Sequence, residues 1–279
     1  MTEMIKLKAK DYKSTVKPIW CPGCGDFSVL NAITKAMAAL AINKDDTVLV
    51  SGIGCSSRLP AYVDSYGFHG VHGRGLAIAQ GLKVARPDLT VIAMGGDGDG
   101  FSIGGNHFIH ACRRNVNMTY IVMDNEIYGM TKGQASPTTP MDWTSSKLTP
   151  HGTGVRPFKP TALALASGAT WIGRGYSGNP NQMAGLIASA VEHQGFSFVH
   201  VMSQCITFCP GQTDWKAIVH ERQEPVLTNE DEAAELFLHE DGFQTGILYQ
   251  QGRDTWPPQH SSTTPTTPAQ LAESFRIGS

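Results

Sequence analysis

Forty residues, Gly95 to Gln134 (GGDGDGFSIGGNHFIHACRRNVNMTYIVMDNEIYGMTKGQ), constrain this chain more than any other stretch. The apolar run Leu89–Met94 before them reads as a strand. Gly95, Gly96, Asp97, Gly98, Asp99 and Gly100 then form a turn too rich in glycine for a strand or a helix. Phe108, Ala111 and Cys112 follow at helical spacing, and Met118–Met123 is a second strand ending in Asp124-Asn125. The unit is strand–loop–helix–strand, with its polar residues at the carboxyl ends of both strands. Ligands of open α/β sheets bind at those ends. Glycines let the backbone approach a phosphate, and a helix start offers free N–H groups to it. Asp97 and Asn125 are hard oxygen donors of the kind that hold Mg²⁺ together with substrate phosphates. The residues therefore predict a Mg²⁺-bridged diphosphate, against the simpler alternative of a tight βα turn with a capping aspartate.

The rest of the chain repeats this grammar. Leu30, Ile33, Met37 and Leu40 mark a helix, and Thr47–Ser51 is a buried-type strand. That strand runs into Gly52-Ile53-Gly54-Cys55-Ser56-Ser57-Arg58, and a second glycine turn, Gly70–Gly75, presents His72 and Arg74 ahead of a helix over Leu76–Ala85. Such alternation predicts a mostly parallel sheet with helices on both faces, its strand ends gathered on one edge. Residues 133–160 lack any period and read as a long functional loop. Further on come helices over Thr161–Ala166 and Asn181–His193, a short strand Thr170–Gly173 and a buried-type strand Phe196–Met202. Beyond residue 215 the signal weakens to a short acidic helix, Asn229–Leu238, and a low-complexity tail over 259–268. The expected organisation is one α/β domain over 1–215 and a partly irregular extension over 216–279.

Six cysteines in a chain without an apolar leader point to metal binding or reactive thiols rather than disulfides. Cys21-Pro22-Gly23-Cys24 aims two sulfurs at one spot, and Cys55 and Cys205 stand at strand ends. Four such thiolates suit zinc or an iron–sulfur cluster; a single C-x-x-C with two scattered partners is more cluster-like. From the residues alone the fourth ligand is open between Cys205 and Cys209, while Cys112 fits a small buried hydrophobe. A formal net charge of −2 makes no electrostatic case for nucleic acid, and no run of eighteen apolar residues predicts a membrane span. The expected location is the cytoplasm.

The GDG of residues 96–98, followed by the Asn125 strand end, resembles the thiamine-diphosphate fingerprint. By that resemblance Asp97, Asn125 and the main-chain carbonyl of Ile127 bind Mg²⁺. Together with WCPGCGD, GIGCSSR, HGRGLAIAQG, RRN, DNEIYGMTKGQ, SPTT and SQCITF, the motifs resemble the β subunit of 2-oxoacid:ferredoxin oxidoreductases over roughly residues 16–215. The resemblance implies a thiamine-diphosphate-binding fold and a [4Fe–4S] cluster on Cys21, Cys24, Cys55 and Cys205. It implies cofactor contacts from Gly54, Cys55, Ser56, His72, Gly73, Arg74, Gly96, Gly98, Asp99, Gly129, Met130 and Thr131, and catalytic roles for Arg58 and Lys132. In this family the Lys132 position lies near the substrate's far end, where a lysine favours a distal carboxylate.

The implied reaction is oxidative decarboxylation of 2-oxoglutarate with coenzyme A to succinyl-CoA and CO₂, electrons leaving through the cluster to ferredoxin. Pyruvate or branched-chain 2-oxoacids are the alternative substrates, and a cluster-free thiamine lyase the alternative chemistry. Thiamine enzymes also need a carboxylate on the aminopyrimidine ring. No second βα domain is evident to hold one, so an α subunit is expected to complete the site in a hetero-oligomer.

Overall fold

The computed structural model describes residues 7–144, 147–257 and 267–269. Chain order sets out the elements. Helix α1 (Asp26–Ala39) leads to strand β1 (Thr47–Ser51), a 3-10 segment (Ser56–Tyr62) and strand β2 (Tyr66–His69). Helix α2 (Gly75–Ala85), strand β3 (Thr90–Gly96), helix α3 (Gly105–Arg114) and strand β4 (Met118–Asp124) follow. A two-residue hairpin, β5 (Ile127–Tyr128) with β6 (Gln134–Ala135), opens the long loop, which ends at helix α4 (Pro160–Ala166). Strand β7 (Trp171–Tyr176), helix α5 (Pro180–Glu192) and strand β8 (Phe196–Met202) complete the main repeat. Helix α6 (Trp215–Ile218), strand β9 (His220–Glu221), helix α7 (Glu230–His239) and strand β10 (Gln244–Gln250) close the described fold.

Eight strands form one sheet in the order β2-β1-β3-β4-β8-β7-β10-β9, and only the β7–β10 pairing is antiparallel. The alternation of strand side chains explains its two covered faces. Along β4, Ile121 and Met123 join the layer containing Val29, Ile33 and Ile187 of α1 and α5. Tyr120 and Val122 point the other way, into the layer of Leu76, Phe108 and Phe237 from α2, α3 and α7. Phe108 is fully buried, with its ring centroid 4.9 Å from that of Phe198 and 5.4 Å from that of Phe101. Burial of one such ring is worth about 2–3 kcal/mol. Local sequence ends some of these helices: Asn229 Oδ1 caps α7 by accepting the Asp231 and Glu232 N–H groups, and Asn115 ends α3 with a left-handed φ of 53°.

The mostly parallel sheet with helices on both faces is the predicted architecture. Several details differ. Gly95 and Gly96 are still strand, because β3 must pass close beside β4: a Cβ on Gly95 would sit 2.8 Å from the Tyr120 hydroxyl oxygen. The chain then makes a wide π-type helical turn over Gly98–Ile103 before α3, a geometry found often at functional sites. Strand β7 runs three residues beyond the expected Gly173, through a buried Arg174 that breaks the apolar pattern. The segment without motifs nonetheless contributes β9 and β10 to the same sheet. Residues 1–6 and the low-complexity stretch up to residue 266 lie outside the described residues.

Candidate active site

The carboxyl ends of β1, β3 and β4 surround a cleft with a free volume of about 80 Å³. Its wall takes in Gly54, Cys55, Ser56, His72, Gly96, Asp97, Gly98, Asp99, Asn125, Ile127, Gly129, Met130 and Thr131. Right-handed crossovers between parallel strands put all of these on one edge. Gly98 has no alternative: a Cβ there would lie 2.2 Å from the Tyr128 ring, whose hydroxyl donates to the Gly98 carbonyl at 3.1 Å.

Asp97 is 2% exposed and receives the Thr138 hydroxyl at Oδ2 (3.1 Å). Burial and the neighbouring Asp124 push its carboxyl well above the usual range, partly offset by the Ser136 and Thr138 hydroxyls. A buried carboxylate in this setting calls for a cation. Asn125 Oδ1 accepts the Ile127 N–H at 3.1 Å, a local turn that brings the Ile127 backbone back to the cleft. Asp99 works differently. Its Oδ1 accepts the N–H groups of Ile53 (2.9 Å) and Gly73 (2.7 Å), tying both glycine turns to the β3 loop. Its carboxyl is raised by burial and held down by those two N–H groups. His72 Nδ1 is 3.3 Å from Asp99 Oδ1 but out of hydrogen-bond geometry, and the buried Ser56 Oγ also has no partner among the described residues. Two orphaned polar atoms, a glycine wall and a buried carboxylate fit a Mg²⁺-bound diphosphate.

Arg74 stands apart from the cleft wall and donates to the Ile103 carbonyl at 3.1 Å. Arg58 and Lys132 are exposed and border a second cavity of about 300 Å³ with Cys21, Cys24, Cys55 and Cys205. Lys132 holds a left-handed φ of 85°, a conformation that costs a non-glycine residue about 1 kcal/mol or more. The Cys24 and Cys205 thiols are raised mainly by burial, and Cys55 is pushed up to about 11 for the same reason. Among the described residues no three His, Cys, Asp or Glu side chains are close enough for a single metal ion. Four sulfurs around a volume of this size fit a multi-iron cluster by donor type and room. Cys209 is buried next to Cys205, its N–H donating to the Cys205 carbonyl at 2.8 Å, and does not border the cavity. Cys112 is fully buried in the core.

Cys55, Asn125, Gly129 and Met130 line both cavities, so a single layer of residues separates them. Asp26 belongs here too: it borders the first cleft, accepts the Ser203 hydroxyl at 2.7 Å and is pushed up to about 6 by burial. Its place immediately after the C-x-x-C turn was the available signal. Among the described residues no helix is long and apolar enough to cross a membrane.

Residues 52–201 match the family model of the thiamine pyrophosphate enzymes' C-terminal TPP-binding domain. The chain is 46% identical over 207 residues to the 2-oxoglutarate oxidoreductase subunit KorB of Mycobacterium tuberculosis, covering 74% of this chain and 55% of that protein. It is 41% identical over 254 residues to the β subunit of 2-oxoacid:ferredoxin oxidoreductase 2 of Aeropyrum pernix, covering 86% of this chain and 82% of the relative. A solved 2-oxoglutarate:ferredoxin oxidoreductase from Magnetococcus marinus, bound to 2-oxoglutarate, coenzyme A and succinyl-CoA, superposes with a TM-score of 0.87 at 46% identity. That match covers 91% of this chain and 88% of the solved one.

Proposed function

This chain belongs to the β subunits of the thiamine-diphosphate-dependent 2-oxoacid:ferredoxin oxidoreductases, and from that premise we propose that it serves a 2-oxoglutarate:ferredoxin oxidoreductase forming succinyl-CoA. The observation that carries the reading is the layer of Cys55, Asn125, Gly129 and Met130 shared by a diphosphate-type cleft and a four-cysteine cavity. Thiamine diphosphate, when bound, supplies carbanion chemistry at the 2-oxo carbon. Asp97, Asn125 and the Ile127 carbonyl would hold its Mg²⁺, with the glycine walls admitting the phosphates and Ser56 Oγ and His72 Nδ1 free to bond them. Asp99 keeps the two glycine turns closed around the cleft. Cys21, Cys24, Cys55 and Cys205 would hold a [4Fe–4S] cluster, which would supply one-electron transfer toward ferredoxin.

Substrate choice is assigned to Lys132. On this reading its ammonium, on the exposed lip of the cysteine cavity, would meet the distal carboxylate of 2-oxoglutarate, and Arg58 would add a second positive charge on that lip. The relatives named for 2-oxoglutarate, and the solved structure bound to it, support this choice. An α subunit is proposed to supply the pyrimidine-binding half with its carboxylate, and coenzyme A to accept the acyl group. Anaerobic co-purification with the partner chain, followed by iron and acid-labile sulfide analysis and a 2-oxoacid panel with ferredoxin as acceptor, tests all of this. Zinc without sulfide would remove the cluster; pyruvate outrunning 2-oxoglutarate would remove the substrate.

A further inference from the structure

Behind Asp97 the structure holds a chain of buried hydrogen bonds that none of the sequence motifs foretells. The Thr138 hydroxyl lies 3.1 Å from Asp97 Oδ2 and 2.8 Å from Asp124 Oδ1. Asp124 also receives His200 Nε2 at Oδ2 (2.9 Å) and the Glu126 N–H at Oδ1 (2.9 Å). Arg174 Nε donates to His200 Nδ1 at 3.2 Å, and its two terminal nitrogens bind Glu240 at 2.6 and 2.7 Å. Thr138, Asp124, His200 and Arg174 are all at most 7% exposed.

The donor inventory gives this chain a direction. Arginine only donates, so His200 Nδ1 must accept and the ring hydrogen sits on Nε2, facing Asp124. One threonine hydroxyl has one hydrogen and so serves one carboxylate at a time. Asp124 is supplied on one oxygen by His200 and on the other by the Glu126 N–H. The Thr138 oxygen lies between it and Asp97, 2.8 Å from the first and 3.1 Å from the second, so one hydroxyl sets the spacing of the two carboxylates. The chain runs along a cavity of about 300 Å³ walled partly by Phe158, Trp215 and Phe243, where such bonds are strengthened by the apolar surroundings.

We propose that Thr138 is a positioning residue for the metal–diphosphate site, orienting the Asp97 carboxylate, and that Asp124, His200, Arg174 and Glu240 form the chain that holds Thr138 in place. The inference rests on the Mg²⁺ reading of Asp97 given above. Partners behind metal ligands typically carry about 10–100-fold in metal affinity.

The test is a Mg²⁺ titration of the chelator-stripped αβ complex in the presence of thiamine diphosphate, read by circular dichroism, with thermal melts of each stripped complex alongside. Thr138→Val is expected to raise half-saturation by about 10–100-fold, and Thr138→Ser to return it to within about threefold of wild type. His200→Gln, whose amide still reaches toward Asp124, is expected to fall between them. A Thr138→Val complex that melts like Thr138→Ser but binds Mg²⁺ like wild type overturns the inference, as does a Thr138→Ser complex as impaired as Thr138→Val. A Thr138→Val complex that melts early is judged on the serine and glutamine variants, whose Mg²⁺ half-saturation must then order as stated. Wild-type complex that binds thiamine diphosphate without regard to Mg²⁺ removes the reading of Asp97 itself.

Discussion

The two cavities on either side of the Cys55–Asn125–Gly129–Met130 layer are built on opposite principles. In the diphosphate cleft the chain furnishes its own order. Asp99 is fixed by two backbone N–H groups, Asn125 by the Ile127 N–H, and Asp97 by Thr138. In the cysteine cavity the three inner thiols are raised mainly by burial and further by Asp26, offset in part by the Phe208 and Thr207 N–H groups at Cys205 and by Arg58 near Cys55. The first site is ordered by the chain itself; the second, on the proposed reading, would be ordered by its cluster. The difference teaches which losses spread: damage to the cleft should weaken binding in steps, whereas damage to the cysteine set should remove its group outright.

The largest expected effect tests that asymmetry directly. Cys205→Ala in the αβ complex is expected to abolish iron and acid-labile sulfide and to lower ferredoxin reduction by more than about 100-fold, leaving thiamine diphosphate affinity within about threefold. If the cofactor affinity falls with the iron, the dividing layer is not a boundary and the comparison breaks. On the other side, Asp97→Asn is expected to weaken Mg²⁺-dependent thiamine diphosphate binding by about 100-fold with iron and sulfide unchanged. Removing one of two neighbouring buried carboxylates should also stabilise the stripped protein by about 1 kcal/mol, read from its melting midpoint.

Much of the cleft was legible because its chemistry is local. Glycine turns directly after apolar runs, with Asp97 and Asn125 at adjacent strand ends, announce both the sheet edge and the ligand type. The cysteine set was legible as residues but not as a set: Cys205 and Cys209 look alike in the sequence, and only the resemblance favoured Cys205. The structure separates them, because the chain turns back after Cys205 and packs Cys209 away from the cavity. What stayed hidden has long-range partners. Arg174 in β7 reads as a break in a strand until Glu240, sixty-six residues later, neutralises it. Thr138 sits in an aperiodic loop, where only the folded chain shows it between two carboxylates. The exposed edge strand β2 has no apolar alternation to betray it, since none of its residues is buried.

A smaller effect separates charge from backbone at the lip of the cysteine cavity. Lys132→Gly removes the ammonium and relaxes a left-handed φ of 85°. Relief of that strain and the added freedom of glycine in the unfolded chain oppose each other, so stability should stay within about 1 kcal/mol. A charge-assisted bond lost to the distal carboxylate is worth about 1.5–3 kcal/mol. The expected result is a roughly 10–100-fold drop in kcat/KM for 2-oxoglutarate, with pyruvate turnover little changed. Equal losses on both substrates would return Lys132 to the surface.

The smallest effect probes the shared layer. A methyl on Gly129 would lie 3.6 Å from Cys205 Sγ and 3.8 Å from Phe208, ordinary contact distances on the cysteine side alone. Gly129→Ala should therefore leave thiamine diphosphate affinity within about twofold, because beyond its own chain neighbours no cleft residue lies within 4 Å of the new carbon. Iron content should hold as well, since contact at that distance displaces nothing. What should change is the electron paramagnetic resonance signal of the reduced cluster, whose sulfur ligand gains an apolar neighbour. A variant that loses thiamine diphosphate while its cluster signal stays fixed would show that Gly129 serves the cleft, and that the layer between the two cavities faces the other way.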